Sequence, residues 1–201
     1  MKHAIVVAHP NPDSLTCAIA RTYVEEAQAL GHTAITRDLY RIGFDPCLKA
    51  EEIPGPHGVR FGDDVVAERK ALADCQVFAF VYPLWFNAPP AILKGYVDRV
   101  FSLGFGYEPA LHGTDPLLTG RRLISFTTSG APEAWVRDTG ALNALTAVFD
   151  AHVAAVCGLT LVEHVHTGGI VPGVTAEAVE QILQSVRGAV QRCFASGSGV
   201  I

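Results

Sequence analysis

Three short stretches carry the residues that could do chemistry: "HPNPDSLT" (9–16), "YPLWFNAPP" (82–90) and "TTSGAPEAW" (127–135). In the first, Ser14 and Thr16 stand where a helix pattern begins. Hydroxyls beside the free N–H groups of a helix start make an anion site, most naturally for a phosphate, although a plain N-cap uses the same residues. His9, beside a strand end, reads first as a structural hydrogen-bonder. The stretch holds no glycine and the chain no G-K-[ST], which argues against dinucleotide and Walker loops. In the third stretch, Thr127, Thr128, Ser129 and Gly130 offer successive N–H groups and hydroxyls that could bind a carbonyl or developing negative charge, as ordinary turns also could. In the second, Trp85 and Phe86 lie between Pro83 and the Pro89–Pro90 pair. Prolines fix the backbone, so the rings make a rigid apolar wall. The missing proline N–H groups leave others near 84–87 to face a ligand. Each loop alone fits core or turn; a phosphate loop, a flat wall and a polar nest together describe a flavin site.

Those loops need a frame that brings them together. Apolar runs at 4–8, 77–81, 123–127 and 159–165 are continuous rather than alternating, which predicts strands buried on both faces of a parallel sheet; 33–39 alternates and suits an edge. The opening "MKHAIVVAHP" reads as the first strand. Helical spacing marks 16–30, ended by Gly31, and 63–73, 90–103, about 140–157, and 175–194 after a Thr175 cap. The alternation predicts one doubly wound α/β domain over 1–195 with a flexible tail over 196–201. In such sheets ligands sit beyond the strand carboxyl ends, where all three stretches emerge. The long segments 40–62 and 104–120 read as loops of functional size.

Composition narrows the partners. Only 17% of the 201 residues are charged and the net charge is −5, with 15 Lys and Arg scattered, which argues against disorder and a nucleic-acid partner. Five cysteines without C-x-x-C predict reduced, mostly buried thiols in a cytoplasmic protein. No stretch approaches a membrane span, and no metal site is expected.

"AHPNPDSLTCAIA", "YPLWFNAPPAILKGYVDRVF" and "SFTTSG" together resemble the flavodoxin-like NAD(P)H:quinone oxidoreductase family, over about residues 3–165. The resemblance implies a flavodoxin-like five-stranded sheet of order 2-1-3-4-5. It also implies a homodimer whose partner chain roofs the flavin, and hydride transfer from NAD(P)H through FAD, or FMN as the alternative, to quinones. It places His9, Ser14, Leu15 and Thr16 at the flavin phosphate and ribityl chain. Pro83, Leu84, Trp85, Phe86 and Asn87 fall along the isoalloxazine, and Thr127, Thr128, Ser129 and Gly130 on its pyrimidine side. Leu15 stands where the family often has Phe, and Ser129 replaces a usual glycine. "GFGY" (104–107) puts Tyr107 at the substrate mouth. Trp135 and Ala141 stand where diaphorases carry a Tyr and a His that steady charge on the flavin. An indole N–H donates one hydrogen bond but relays no proton, so the Thr128–Gly130 N–H groups and Trp135 are expected to carry that charge, with His152 and Arg137 next. A flavodoxin-type electron carrier, a regulatory subunit of a potassium-efflux system and a scaffold without flavin are the rival readings.

Overall fold

The computed structural model describes residues 1–56 and 58–195; the tail expected over 196–201 lies outside the described residues. The chain runs β1 (Lys2–Val7), α1 (Leu15–Ala29), β2 (Thr33–Asp38), α2 (Asp63–Leu72), β3 (Val77–Pro83) and α3 (Ala91–Val100). A hairpin follows, β4 (Tyr107–Ala110) and β5 (Gly113–Pro116), then β6 (Arg122–Thr128), α4 (Glu133–Asp138), α5 (Ala141–Leu145), α6 (His152–Cys157), β7 (Thr160–Thr167) and α7 (Ala176–Phe194). The main sheet is parallel throughout, in the order β2-β1-β3-β6-β7. Counting its own five strands, this is the expected 2-1-3-4-5 order. β1 lies between β2 and β3, and the order reverses there, so a crevice opens at its carboxyl end.

Strand side chains alternate between two cores, as the pleat requires. Ala4, Val6, Phe78, Phe80, Tyr82 and Leu123 pack with α2, α3 and the 141–157 segment. Ile5, Val7, Val77, Ala79, Val81, Ile124 and Phe126 face α1 and α7. This double burial is why β1, β3 and β6 read as unbroken apolar runs. Ser14 caps α1, its hydroxyl accepting the Cys17 N–H at 3.2 Å. Gly31, at φ 77°, supplies the left-handed residue that ends α1. Thr175 caps α7 through the Ala178 N–H.

Three expectations change. The segment 104–120 is not an open loop; it carries the β4–β5 hairpin. The helix expected over 140–157 is interrupted by a π turn at Thr146–Ala151, and the sequence did not mark α4 before it. The segment 40–62 is pinned to the body rather than free. Arg99 of α3, 2% exposed, donates to both Glu52 oxygens at 2.8 and 2.7 Å, to Asp64 and to the Asp45 carbonyl. Cys17, Cys75 and Cys157 are buried, Cys193 is half-buried and Cys47 is exposed; all five are free. No helix among the described residues is long and apolar enough to cross a membrane.

Candidate active site

The three stretches meet at one cleft of about 250 Å³ beyond the ends of β1, β3 and β6. His9, Ser14, Leu15, Thr16, Pro83, Leu84, Trp85, Thr128, Ser129 and Gly130 line it, and so does Ile170, which the sequence did not single out. Ten of the fifteen residues expected at the site therefore share one wall. Phe86, Asn87, Thr127, Tyr107 and Trp135 stand elsewhere.

The N–H groups decide what the cleft can hold. Ser14 N–H goes to the Asn11 carbonyl, Asp13 N–H to the Asn11 side chain and Cys17 N–H to Ser14 Oγ. Among the described residues nothing accepts the N–H groups of Leu15 and Thr16, so two donors with the helix dipole behind them stand ready for an anion. His9 Nδ1 lies 3.1 Å from the Asn11 nitrogen and 3.2 Å from the Asn11 carbonyl oxygen; the tautomer that accepts the Asn11 N–H has Nε2–H as its outward donor. The imidazole leans on the Trp85 ring, centroids 6.0 Å apart.

The second stretch makes a tight turn. Trp85 and Ala88 exchange both backbone bonds at 3.1 Å, with Phe86 and Asn87 between them at φ 51° and 55°. Two consecutive positive φ values mark a type I′ turn, an uncommon place for phenylalanine. Leu84 N–H is used by the Thr128 carbonyl and Trp85 N–H by Ala88, so the free donors expected near 84–87 narrow to Phe86 and Asn87. The Asn87 side chain anchors the turn, donating to the Ala141 carbonyl at 3.0 Å. The Phe86 ring is fully exposed and Trp85 is 44% exposed.

The third stretch is narrower than expected. Ser129 N–H is spent on the Thr167 carbonyl, and Thr127 lies within β6 with its hydroxyl turned to His164 and His166. Gly130 keeps the free N–H. The nest is thus one donor, not three. Gly168, missed by the sequence reading, lets the turn close. A Cβ there would stand 2.3 Å from the Glu133 nitrogen and 2.8 Å from the Ala131 oxygen. Gly168→Ala is expected to push this turn outward, costing about 1–3 kcal/mol of stability. Its flavin binding should weaken more than that of an exposed substitution with the same loss. A thermal melt and a flavin titration on one sample check it.

The remaining expected residues have other surroundings. Tyr107 and His152 line a separate cavity under the hairpin, with Phe101 and Cys157. Trp135 is 56% exposed on α4, and among the described residues nothing accepts its indole N–H. Arg137 is paired with Glu133 at 2.6 Å.

Among the described residues, unpaired donors at Leu15, Thr16 and Gly130 line a cleft with a Leu84–Trp85 wall, and those of Phe86 and Asn87 lie in the turn that follows Trp85. That set fits a flat heteroaromatic ring with acceptor atoms along its edge and an anionic tail, which is the shape of a flavin nucleotide.

Comparison with known proteins agrees. The Flavodoxin_2 family model, described as "Flavodoxin-like fold", matches residues 1–191. An "Uncharacterized NAD(P)H oxidoreductase" of Haemophilus influenzae is 33% identical over 164 residues, 81% of each chain. "NAD(P)H dehydrogenase [quinone] 1" of Cavia porcellus is 28% identical over 186 residues, 83% of this chain and 68% of its own. Among solved structures, an "NAD(P)H:quinone oxidoreductase from Methanothermobacter marburgensis" superposes with a TM-score of 0.84 at 29% identity, covering 96% of both chains.

Proposed function

The chain belongs to the flavodoxin-like-fold family of NAD(P)H:quinone oxidoreductases, and from that premise we propose that it passes hydride from NAD(P)H, through a bound flavin, to a quinone or similar small acceptor. The observation that carries the reading is the meeting of three loops at one cleft, where the unpaired N–H groups of Leu15, Thr16 and Gly130 stand beside an apolar Leu84–Trp85 wall. FAD is the expected flavin, with FMN the alternative, and the cytoplasm the expected compartment.

The flavin, when bound, supplies the redox chemistry by taking hydride and giving it up again. The protein's residues supply the rest. Leu15 and Thr16 N–H groups, with His9 Nε2–H, would hold the phosphate end. Leu84 and Trp85 would fix the ring plane and exclude water from one face. Phe86, Asn87 and Gly130 N–H groups would donate to the ring edge, where negative charge develops, at no cost in reorganisation. Nicotinamide and acceptor would use the same open face in turn.

A homodimer, implied by the resemblance, would not be built on α3. The apolar face of α3 is consumed by the chain's own core, with Leu93, Tyr96 and Val100 wholly buried. Among the apolar side chains left exposed are Phe86, in the turn after the cleft wall, Trp135 and Val148, at 107%, 56% and 77%. A second copy seated there would cover these side chains and could bring its own hairpin, with Tyr107, over the mouth. Residues 135 and 107 would then act only in the dimer.

Steady-state rates with varied NADPH or NADH and a soluble quinone test the proposal. Parallel double-reciprocal lines are expected, because one substrate must leave before the other enters. Absence of nucleotide consumption by flavin-loaded protein would favour the electron-carrier reading instead.

A further inference from the structure

β6 and β7 hold a buried row of polar side chains that leads into the cleft wall. Ser125 Oγ donates to Asp150 Oδ1 at 2.7 Å, and the second Asp150 oxygen accepts from His164 Nδ1. His164 Nε2 meets Thr127 Oγ1 at 2.8 Å, and the same hydroxyl meets His166 Nδ1 at 2.9 Å. His166 Nε2 meets Ser129 Oγ at 3.2 Å, and Ser129 Oγ donates to the Ala131 carbonyl at 3.0 Å. Ser125 and Asp150 have no exposed surface, and Thr127, Ser129 and His166 are buried.

A backbone irregularity creates the row. The β6–β7 register shifts after Leu123: Leu123 faces Leu161, but Ile124 faces Glu163, leaving Val162 as the extra residue. The shift pairs Ser125 with His164 and Thr127 with His166. Without it the partners would be Glu163 and Val165, and both imidazoles would point to the opposite face of the sheet. Asp150 reaches the row from the π turn, another single-residue irregularity of a kind often found at functional sites.

Counting hydrogens leaves two arrangements. A carboxylate at Asp150 only accepts, so His164 Nδ1 carries a hydrogen in both. The Ala131 carbonyl already takes the Gly169 N–H at 2.7 Å, so the one Ser129 hydroxyl hydrogen is not tied to it and can turn to His166 Nε2 instead. With Ser129 turned to His166, two neutral imidazoles satisfy the row. With Ser129 turned to Ala131 or to the cleft, His166 Nε2 carries its own hydrogen. The one Thr127 hydroxyl hydrogen then serves only one of the two ring nitrogens facing it, so three of the four ring nitrogens carry hydrogen. In that second arrangement the row stores one proton, balanced by the Asp150 charge. If His164 gives its Nε2 proton to Thr127 while Thr127 gives its own to His166 Nδ1, the charge moves one ring closer to the cleft and no heavy atom moves.

We propose that the row takes the three-hydrogen arrangement, so that Asp150, His164, Thr127 and His166 form a one-proton relay ending at Ser129. The Ser129 hydroxyl accepts from His166 Nε2–H and turns its own hydrogen from the Ala131 carbonyl to the cleft, steadying negative charge there in place of the Tyr and His pair that Trp135 and Ala141 displace. The inference rests on the flavin reading above. Asp150, His164 and His166 are positioning residues, since they act through Ser129. His166 is lowered from its ordinary pKa by burial and then by the neighbouring His164, which favours its neutral form and leaves the Asp150 end of the row as the resting place of the extra proton. Other charged groups face the row from each side. Glu133 and Arg137 of α4, and Glu163 of β7 with Arg192 of α7, are paired with each other. Cys193 of α7 bonds to Glu163, and its thiol is raised to about 11, first by burial. Tyr82 of β3 has a buried hydroxyl with no partner, held protonated by burial and by Asp150. The histidines also border an outer cleft of about 530 Å³ between α4 and α7, through which the proton can exchange with solvent.

Nitrogen NMR of histidine-labelled protein counts the hydrogens directly, with and without FAD or FMN. Near pH 8, where an ordinary histidine of pKa about 6.5 is neutral, three protonated nitrogens are expected across His164 and His166. Asp150→Asn should release the extra proton at a pH lower by about 1–3 units. In flavin-loaded Asp150→Asn and Ser129→Ala, the preference for reduced over oxidised flavin, read from the midpoint potential, should fall about tenfold. Two protonated nitrogens in the wild type, or an unchanged preference in both folded variants, overturns the relay. Ser129→Ala sits at the row's outer end and the wild-type count needs no variant, so a misfolded Asp150→Asn does not decide the matter. A protein that takes up no flavin overturns the functional reading and with it the relay's role. Flavin bound beside only two ring hydrogens overturns the relay alone.

Discussion

Arg99→Met is expected to cost about 3–5 kcal/mol of folding stability, the usual result of removing one partner from a buried ion pair. The Arg99 and Glu52 side chains are 2% and 1% exposed and joined through two parallel hydrogen bonds. Glu52 also accepts the Gly62 N–H at 3.1 Å and the Lys49 N–H at 3.3 Å. Arg99 holds the Glu52 carboxyl down to about 2, with those backbone bonds helping against burial. Without the guanidinium a carboxylate remains where water cannot reach it. The strap from Asp45 to Asp64 also loses its anchor, because Arg99 bonds to both ends. Replacing both partners, as Arg99→Met with Glu52→Leu, should recover much of the loss, because no charge is then left buried. Urea unfolding of the wild type, the single and the double variant checks this. A loss under about 1 kcal/mol in the single variant would mean the strap is held by something else.

The second large effect is acid destabilisation through His3. Its ring is wholly buried, 2.7 Å from the Tyr23 hydroxyl and 3.0 Å from His32 Nδ1, with Phe194 edge-on at 4.9 Å. Burial, followed by the charges of His32, the N-terminus and Arg122, lowers its pKa to about 3. The unfolded chain takes up the proton near the ordinary value of about 6.5. The folded value is the lower one, so protonation favours unfolding. The His3 contribution is whole above about pH 6.5 and is lost as pH falls toward 3, at about 1.4 kcal/mol per unit, or about 2 kcal/mol by pH 5. His32 is lowered too and adds in the same sense. Glu52, with its folded value near 2, contributes only below the ordinary carboxylate range. His3→Phe should therefore flatten the stability profile between about pH 6 and 5 by about one proton's slope, whatever its absolute stability. Urea midpoints across that range measure it, and an unchanged slope would place the titrating group elsewhere.

The sheet was legible because its central strands are buried on both faces, so Ala4 to Ala8 and Val77 to Val81 are unbroken apolar runs and Leu123 to Thr127 carries only the small hydroxyls of Ser125 and Thr127. Their order followed, and with it the end of the sheet where the loops meet. The partners of single N–H groups were not legible. Leu84 and Ser129 lose theirs to Thr128 and Thr167 across strand pairs that no local pattern reveals. The β4–β5 hairpin was hidden because all of its residues are exposed or only half-buried. The relay was half visible: "EHVH" at 163–166 alternates polar and apolar residues, and alternation puts His164 and His166 on one face. Which face they share depends on the Val162 bulge, set by strand register. The π turn that brings Asp150 to them is likewise a product of packing, since the 141–157 residues alone read as one helix.

The central claim is that the cleft holds a flavin and that NAD(P)H reduces it there. The most direct measurement is an anaerobic stopped-flow experiment on protein loaded with FAD or FMN. The account predicts that NADPH or NADH bleaches the visible absorbance of the bound flavin in a single turnover, and that a quinone added after the nucleotide is spent restores it. A protein that takes up neither flavin, or one whose bound flavin keeps its colour with both nucleotides, contradicts the account.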